Sequence, residues 1–265
     1  MMSVAIPSWR AVMHAASIGR KPCSVLWKGM QIAERPSPNF DARPGDGRVD
    51  MLVLHYTGMR TAQEALTRLC DPAAKVSAHY LIDEDGGVTR LVAEEKRAWH
   101  AGISSWRGRS DINGASIGIE LVNPGHEFGY RSFPEPQMVA LEALARGILS
   151  RHPIAARNVI GHSDVAPLRK QDPGELFDWP RLARAGLGLW PNFAGQAAAA
   201  APLALREIQS ELAAIGYFCP QSGAQDAATT AAILAFQRHF RPERCDGVLD
   251  IETSRRIAIC AGGII

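Results

Sequence analysis

Residues 51–55 read Met-Leu-Val-Leu-His, four apolar positions closed by a histidine, with Pro44-Gly-Asp-Gly47 upstream and Thr57-Gly58 downstream. A short apolar run between turn residues reads as a buried strand, here with His55 at its tip. Ala62, Ala65, Leu66 and Leu69 then recur at helical spacing, and Asp71-Pro72 closes that helix because proline cannot continue it. His79–Ile82 and Val88–Val92 are strand-like runs about Asp83-Glu-Asp-Gly-Gly87, whose Asp and Gly tolerate a tight turn, so a hairpin is expected. Ser116–Val122 is a further strand, ended by Asn123-Pro124-Gly125, and Glu120 is its single charge. Between Pro136 and His152 the positions Val139, Leu141, Leu144, Ile148 and Leu149 predict an amphipathic helix laid on the sheet, after which Val159-Ile160 leads into Gly161-His162. The alternation predicts an α/β unit, a central mixed sheet flanked by helices, over residues 30–188.

A different pattern follows. Residues 189–202 end in Gln196, five alanines and Pro202, which reads as a linker. Leu205, Ile208, Leu212 and Ile215 then share one helical face and Gly216 stops it. Asp226 caps a second helix carrying Ile233, Phe236 and Phe240, and Asp250 caps a third with Ile257 and Ile259. A small three-helix domain over 203–265 is expected. Residues 1–29 have weak periodicity and form an N-terminal extension outside this scheme.

Composition adds exclusions. Of 265 residues 46% are hydrophobic and 21% charged, which supports a sizeable core, and a net charge of +2 without like-charge blocks gives no reason to expect nucleic acid as a partner. No apolar run reaches the ~18 to 20 residues that span a bilayer. Pro7, Arg10 and His14 interrupt the opening segment, so no standard export signal is read there and a cytoplasmic location is expected, with the periplasm or envelope as the alternative. A monomer is expected. Five cysteines without a Cys-x-x-Cys pair read as free thiols, a Cys219–Cys245 bridge being the open alternative.

Zinc in a hydrolase takes three histidine or carboxylate ligands and keeps one position open. His55 and His162 end strands, and Asp172 lies in the loop Gly161-His-Ser-Asp-Val-Ala-Pro-Leu-Arg-Lys-Gln-Asp-Pro-Gly174, so the three can converge on one metal. Lys170 lies two residues before Asp172, which in an extended loop points both the same way. Glu120 stands nearby in sequence logic as an acid/base partner. Each residue has a plainer reading as well: a strand-end histidine bonded in the core, a Glu120 paired with an arginine, a solvated Lys170. Asp164 is nearer His162 in sequence than Asp172 is, but its expected work is bonding the backbone of its own turn.

The segments Leu54-His-Tyr-Thr57, Ser77-Ala-His-Tyr80, Ala98-Trp-His-Ala-Gly102, Ser116-Ile-Gly-Ile-Glu120 and Gly161–Gly174 together resemble the N-acetylmuramoyl-L-alanine amidases related to peptidoglycan-recognition proteins. The resemblance implies a Zn2+ ion held by His55, His162 and Asp172, catalytic roles for Glu120 and Lys170, and peptidoglycan or muropeptides as substrate. It also implies hydrolysis of the amide between the lactyl group of muramic or anhydromuramic acid and L-alanine. His100, Trp99 and His79 are candidates for substrate contact, whereas His14, His126, His152 and His239 lie outside the motifs and are expected at the surface. Leu205 to Ile259 resembles a small helical peptidoglycan-binding domain, which offers no catalytic set and would supply wall binding alone. The rival readings are a non-catalytic recognition protein on the same fold, and a zinc peptidase cutting within the stem peptide.

Overall fold

The computed structural model describes residues 31–194 and 204–263. The expected N-terminal extension and most of the linker, 195–202, lie outside the described residues. In chain order the elements are β1 (Ile32–Glu34), β2 (Phe40–Ala42), β3 (Met51–Tyr56), α1 (Ala62–Leu69), β4 (Tyr80–Ile82), β5 (Val88–Arg90), β6 (Lys96–Ala98), α2 (Ile112–Ala115), β7 (Ser116–Leu121), α3 (Gly125–Phe128), α4 (Glu135–Arg151), β8 (Val159–Gly161), α5 (His162–Val165), α6 (Trp179–Arg184), α7 (Leu205–Ile215), α8 (Ala227–Phe240) and α9 (Ile251–Gly262). Six strands form one mixed sheet in the order β1-β5-β4-β7-β3-β8, and β2 with β6 forms a separate antiparallel ribbon. Strands β4, β7, β3 and β8 run parallel, and the β4–β5 hairpin turns at the expected Asp83–Gly87 segment.

Local sequence explains several boundaries. The Thr61 side chain accepts from Glu64 N to start α1, and Asp226 and Asp250 do the same for α8 and α9, so each offers an acceptor to a first-turn amide that has no carbonyl partner of its own. Gly216 ends α7 at φ 144, a conformation that an L side chain resists.

Strand β3 is apolar on both faces because both faces are covered. Leu52 and Leu54 enter a cluster with Leu141, Leu144 and Ile148 of α4. Met51 and Val53, of opposite parity, enter a second cluster with Ile208, Leu212, Phe236 and Ile257 of α7, α8 and α9. The apolar faces of these three helices thus pack on the second face of the sheet. No helix among the described residues is long and apolar enough to cross a membrane. Cys219 and Cys245 are both free thiols, so the bridge left open by the sequence is not formed.

At the far end of the sheet Glu94 ties β4 to the end of α4. Its carboxylate accepts from Tyr80 Oη (2.7 Å), Arg151 Nη2 (2.6 Å) and His152 Nε2 (2.6 Å). Burial by itself would raise its pKa, but these donors outweigh it and bring the carboxyl down to about 2 from an ordinary 4.5. A depressed carboxylate contributes stability above its unfolded pKa and loses it as pH falls through the folded value. Glu94→Gln is expected to cost about 2 kcal/mol at pH 7. The difference from wild type should shrink between pH 4.5 and 2, as read from denaturation midpoints at several pH values. An equal deficit at both ends of that range would contradict the assignment.

Candidate metal centre

The parallel register brings the chemistry to one edge. His55 on β3 is paired with Glu120 on β7, and Leu54 with Gly161 of β8, so Glu120, His55 and His162 stand at the carboxyl ends of three adjacent strands. Loops beyond the carboxyl ends of parallel strands are where α/β sheets place ligands. The 162–174 segment then turns back. Ser163 N donates to Asp172 O at 2.8 Å, which brings Asp172 beside His162.

Three donor atoms meet there. His55 Nδ1 lies 2.9 Å from His162 Nδ1 and 3.1 Å from Asp172 Oδ2, and His162 Nδ1 lies 3.0 Å from the same oxygen. All three side chains are buried. The hydrogen-bond network assigns what those atoms carry. Ser116 Oγ is 2.6 Å from the carbonyl of Ile112, which can only accept, so the hydroxyl proton is committed there. Ser116 Oγ must then accept from His100 Nε2 (3.1 Å). Burial, with His55 and His79 close by, puts the His100 pKa well below its ordinary value, so the ring is neutral and its Nδ1 accepts from His55 Nε2 at 3.0 Å. Burial and the neighbouring His162 also lower His55, to about 4, so its remaining nitrogen, Nδ1, is a bare lone pair. His162 Nε2 donates to Ala101 O at 3.0 Å, which leaves its own Nδ1 unprotonated when the ring is neutral.

With both rings neutral, the result is two imidazole lone pairs and a carboxylate oxygen about 3 Å apart. Burial would raise the Asp172 carboxyl, yet a protonated imidazole beside it, His162 first, brings it well below its usual range, so the carboxylate stays ionised. Tetrahedral zinc with ligands at ~2.0 to 2.1 Å has donor edges of about 3.3 Å, so this triangle fits one face of such a site. Two imidazoles and a carboxylate also suit a borderline-soft divalent ion.

A cavity of about 340 Å³ opens over the triangle, lined by Tyr56, Trp99, His100, Glu120, Lys170 and Asp172 among others. Glu120 is partly exposed as a residue, but its Oε2 is sealed from solvent and has no hydrogen-bond partner among the described residues. Burial first, and then the Asp172 charge, push its pKa well above 4.5 against the opposing effect of Lys170. No arginine among the described residues pairs with it. Lys170 and Asp172 both line the cavity as expected, but so does the intervening Gln171, because tight turns at Arg169 and Lys170 replace an extended loop.

The candidates for substrate contact separate. Trp99 lies on the cavity wall, half-buried. His100 lines the cavity too, but both ring nitrogens are engaged with His55 and Ser116. His79 corrects the expectation made for it: it is wholly buried, its Nδ1 accepts from Gly118 N (3.0 Å) and its Nε2 donates to Lys96 O (3.1 Å) with Arg43 Nη2 2.9 Å away, and it does not line the cavity. Asp164 does bond its own turn through Gly161 N at 2.7 Å. The expected exposure fails for His239, which is buried against Asp164, and in part for His126 and His152, which are paired with Glu175 and Glu94.

Sequence reasoning missed the supports. Ser116, Gly118 and Glu120 alternate on one face of β7, so Ser-x-Gly-x-Glu sets a hydroxyl for His100, a gap for its ring and a carboxylate in one row. Asn113 Oδ1 accepts from the backbone of His100 and Ala101, and Arg169 grips Ala101 O and Ile103 O.

The mixed sheet thus carries a two-histidine, one-carboxylate donor set that could hold a metal ion, beside a carboxylate without a partner among the described residues. The chain's lineage is specific: the N-acetylmuramoyl-L-alanine amidase family matches residues 45–175, and a putative peptidoglycan-binding domain matches 203–257. The N-acetylmuramoyl-L-alanine amidase AmiD of Escherichia coli is 39% identical over 226 residues, covering 78% of this chain and 80% of that protein. The 1,6-anhydro-N-acetylmuramyl-L-alanine amidase AmpD of Salmonella typhimurium is 38% identical over 174 residues, 58% of this chain and 91% of its own. A solved complex of E. coli AmiD with anhydro-N-acetylmuramic acid-L-Ala-D-gamma-Glu-L-Lys superposes with a TM-score of 0.73 at 36% identity, over 84% of this chain and 92% of that one. The chain belongs to the N-acetylmuramoyl-L-alanine amidase family and is an enzyme.

The row on β7 is testable without reference to catalysis. A Cβ on Gly118 would lie 2.5 Å from His100 Cγ, whereas one on Gly188 would meet nothing closer than 3.8 Å. Gly118→Ala is therefore expected to lower stability by about 1 to 3 kcal/mol through overpacking, and Gly188→Ala to leave it nearly unchanged, in chemical denaturation. Equal midpoints for the two variants would contradict the packing of His100 on β7.

Proposed function

We propose that this amidase holds one zinc ion on His55 Nδ1, His162 Nδ1 and Asp172 Oδ2 and hydrolyses the amide between the lactyl group of muramic or anhydromuramic acid and L-alanine. The observation that carries the reading is the donor triangle: three buried donor atoms about 3 Å apart, with Glu120, whose Oε2 has no partner among the described residues, lining the cavity beside it. When bound, zinc supplies Lewis acidity, lowering the pKa of water at its open position towards ~7 and polarising the carbonyl.

The rest falls to the chain's own groups. Glu120 takes the proton of the attacking water and returns it to the departing L-alanine amine, and its elevated proton affinity suits a carboxyl that must both hold and release one. Lys170 faces the same cavity and offsets negative charge on the tetrahedral oxygen, a contact that strengthens as the charge develops. His100, Ser116 and Ala101 O hold the two ligand imidazoles in the tautomer with Nδ1 free, and half-buried Trp99 offers an aromatic wall for a sugar face.

The similarity of AmiD and AmpD supports an anhydromuropeptide as the substrate class. The division into a catalytic unit over 30–188 and a peptidoglycan-binding unit over 203–265, joined by 189–202, is part of the same proposal, with wall binding assigned to the helices.

Elemental analysis of the purified chain is expected to give about one zinc per molecule, and His162→Ala to lose it along with activity. Glu120→Gln should keep zinc while losing roughly 10² to 10⁴ in kcat, and Lys170→Ala roughly 10² to 10³. The double variant should be only modestly worse than Glu120→Gln, since both serve one transition state. Mass spectrometry of a digested anhydromuramyl tripeptide should find free anhydromuramic acid and a peptide beginning with L-alanine. Sugar that retains L-alanine would favour a stem peptidase, and a zinc-replete Glu120→Gln enzyme with wild-type kcat would overturn the proton assignment.

A further inference from the structure

Asp164 is fully buried and does more than close its own turn. Oδ2 accepts from Gly161 N and from His239 Nδ1, each at 2.7 Å, and Oδ1 accepts from Tyr217 Oη at 2.7 Å. The first donor is local. The other two belong to the C-terminal helical segment, more than fifty residues further along the chain. We propose that Tyr217 and His239 are positioning residues for the metal centre: they clamp Asp164, which fixes the Gly161–His162 step and so aims His162 Nδ1 at the triangle. The proposal rests on the zinc reading above.

Both donors are themselves rigid. The His239 ring lies between Trp179 (3.8 Å, 12° between planes) and Phe240 (4.0 Å, 11°). Tyr217 meets Trp106 edge-on at 5.2 Å. It follows Gly216, where a Cβ would come within 2.6 Å of the Trp106 ring and whose carbonyl accepts from Arg107 N. Neither donor can follow a displaced carboxylate, so the carboxylate is held to them. If one donor is lost, an Asp164 oxygen is left buried without that partner, and a carboxylate that rotates to relieve this moves its bond to Gly161 N. His162 is the next residue.

The clamp reaches the other ligand as well. Ser163 N donates to Asp172 O, so a shift at the start of α5 passes to Asp172. Arg238, beside His239 on α8, reaches Gln171 Oε1 at 3.5 Å and Glu175 Oε2 at 3.9 Å, on either side of Asp172. One helix of the C-terminal segment thus touches the ligand loop near both of its metal-facing residues.

The test uses the full chain, stripped with a chelator and reloaded with zinc or cobalt. Tyr217→Phe removes only the hydroxyl. His239→Asn sets an amide N–H where Nδ1 stood, whereas His239→Gln sets it where Nε2 stood, so the pair differs in the placement of one donor. Tyr217→Phe and His239→Gln are expected to weaken zinc affinity about tenfold or more and to change the visible spectrum of the cobalt protein, while His239→Asn stays within about threefold of wild type. Folded variants whose metal-free melting temperature falls but whose zinc affinity and cobalt spectrum match wild type would overturn the clamp. If His239→Asn and His239→Gln weaken zinc equally, the donor assignment is overturned as well. His162→Ala separates the two proposals: if the wild-type chain binds zinc independently of His162, the zinc reading itself fails, whereas intact His162-dependent binding in the clamp variants sinks only the clamp.

Discussion

With His55 and His162 neutral, three buried acceptor atoms lie about 3 Å apart and repel one another, and the architecture of the catalytic unit keeps them together nonetheless. The constraint begins far from the triangle, at the Ile112 carbonyl, which takes the only proton Ser116 can give. From there each donor direction is forced through His100 to His55, and the chain of bonds ends in a lone pair aimed at His162 and Asp172. A cation at that point turns mutual repulsion into attraction, and rings already locked in one tautomer lose little freedom on binding it.

The sheet makes such a chain possible. Parallel pairing of β7, β3 and β8 sets Glu120, His55 and His162 in neighbouring positions with no sequence proximity among them. The same parity that turns Met51 and Val53 towards α7, α8 and α9 turns His55 and Glu120 to that face, so the helices that complete the core also border the chemistry. The C-terminal helices therefore share a core with the sheet that carries the site.

Much of this was legible in the sequence. The apolar run ending in His55, the single charge on Ser116–Leu121 and the Gly161–Asp172 loop mark residues that the fold does gather: Glu120, His162 and Asp172 line one cavity, and His55 Nδ1 lies within 3.1 Å of the last two. The short strands β1, β2 and β6 were not legible, since three residues with mostly exposed side chains carry no period to read. His79 sits in the same kind of motif as His100, and only burial against Arg43 tells a supporting ring from one at the cavity. The apolar faces of α7, α8 and α9 announce that they pack, but not against what. For that reason His239 looked like a surface residue: the partners that bury it, Asp164 and Trp179, lie sixty or more residues earlier in the chain.

The central claim is that the lone pairs of His55 Nδ1, His162 Nδ1 and Asp172 Oδ2 share one zinc ion. Anomalous diffraction at the zinc edge from crystals of the zinc-loaded chain tests it most directly. The account predicts a single strong peak about 2.0 to 2.1 Å from each of those three atoms, with both histidines bound through Nδ1 and His55 Nε2 still bonded to His100. A peak bound through the Nε2 nitrogens, or none at the triangle, would contradict it.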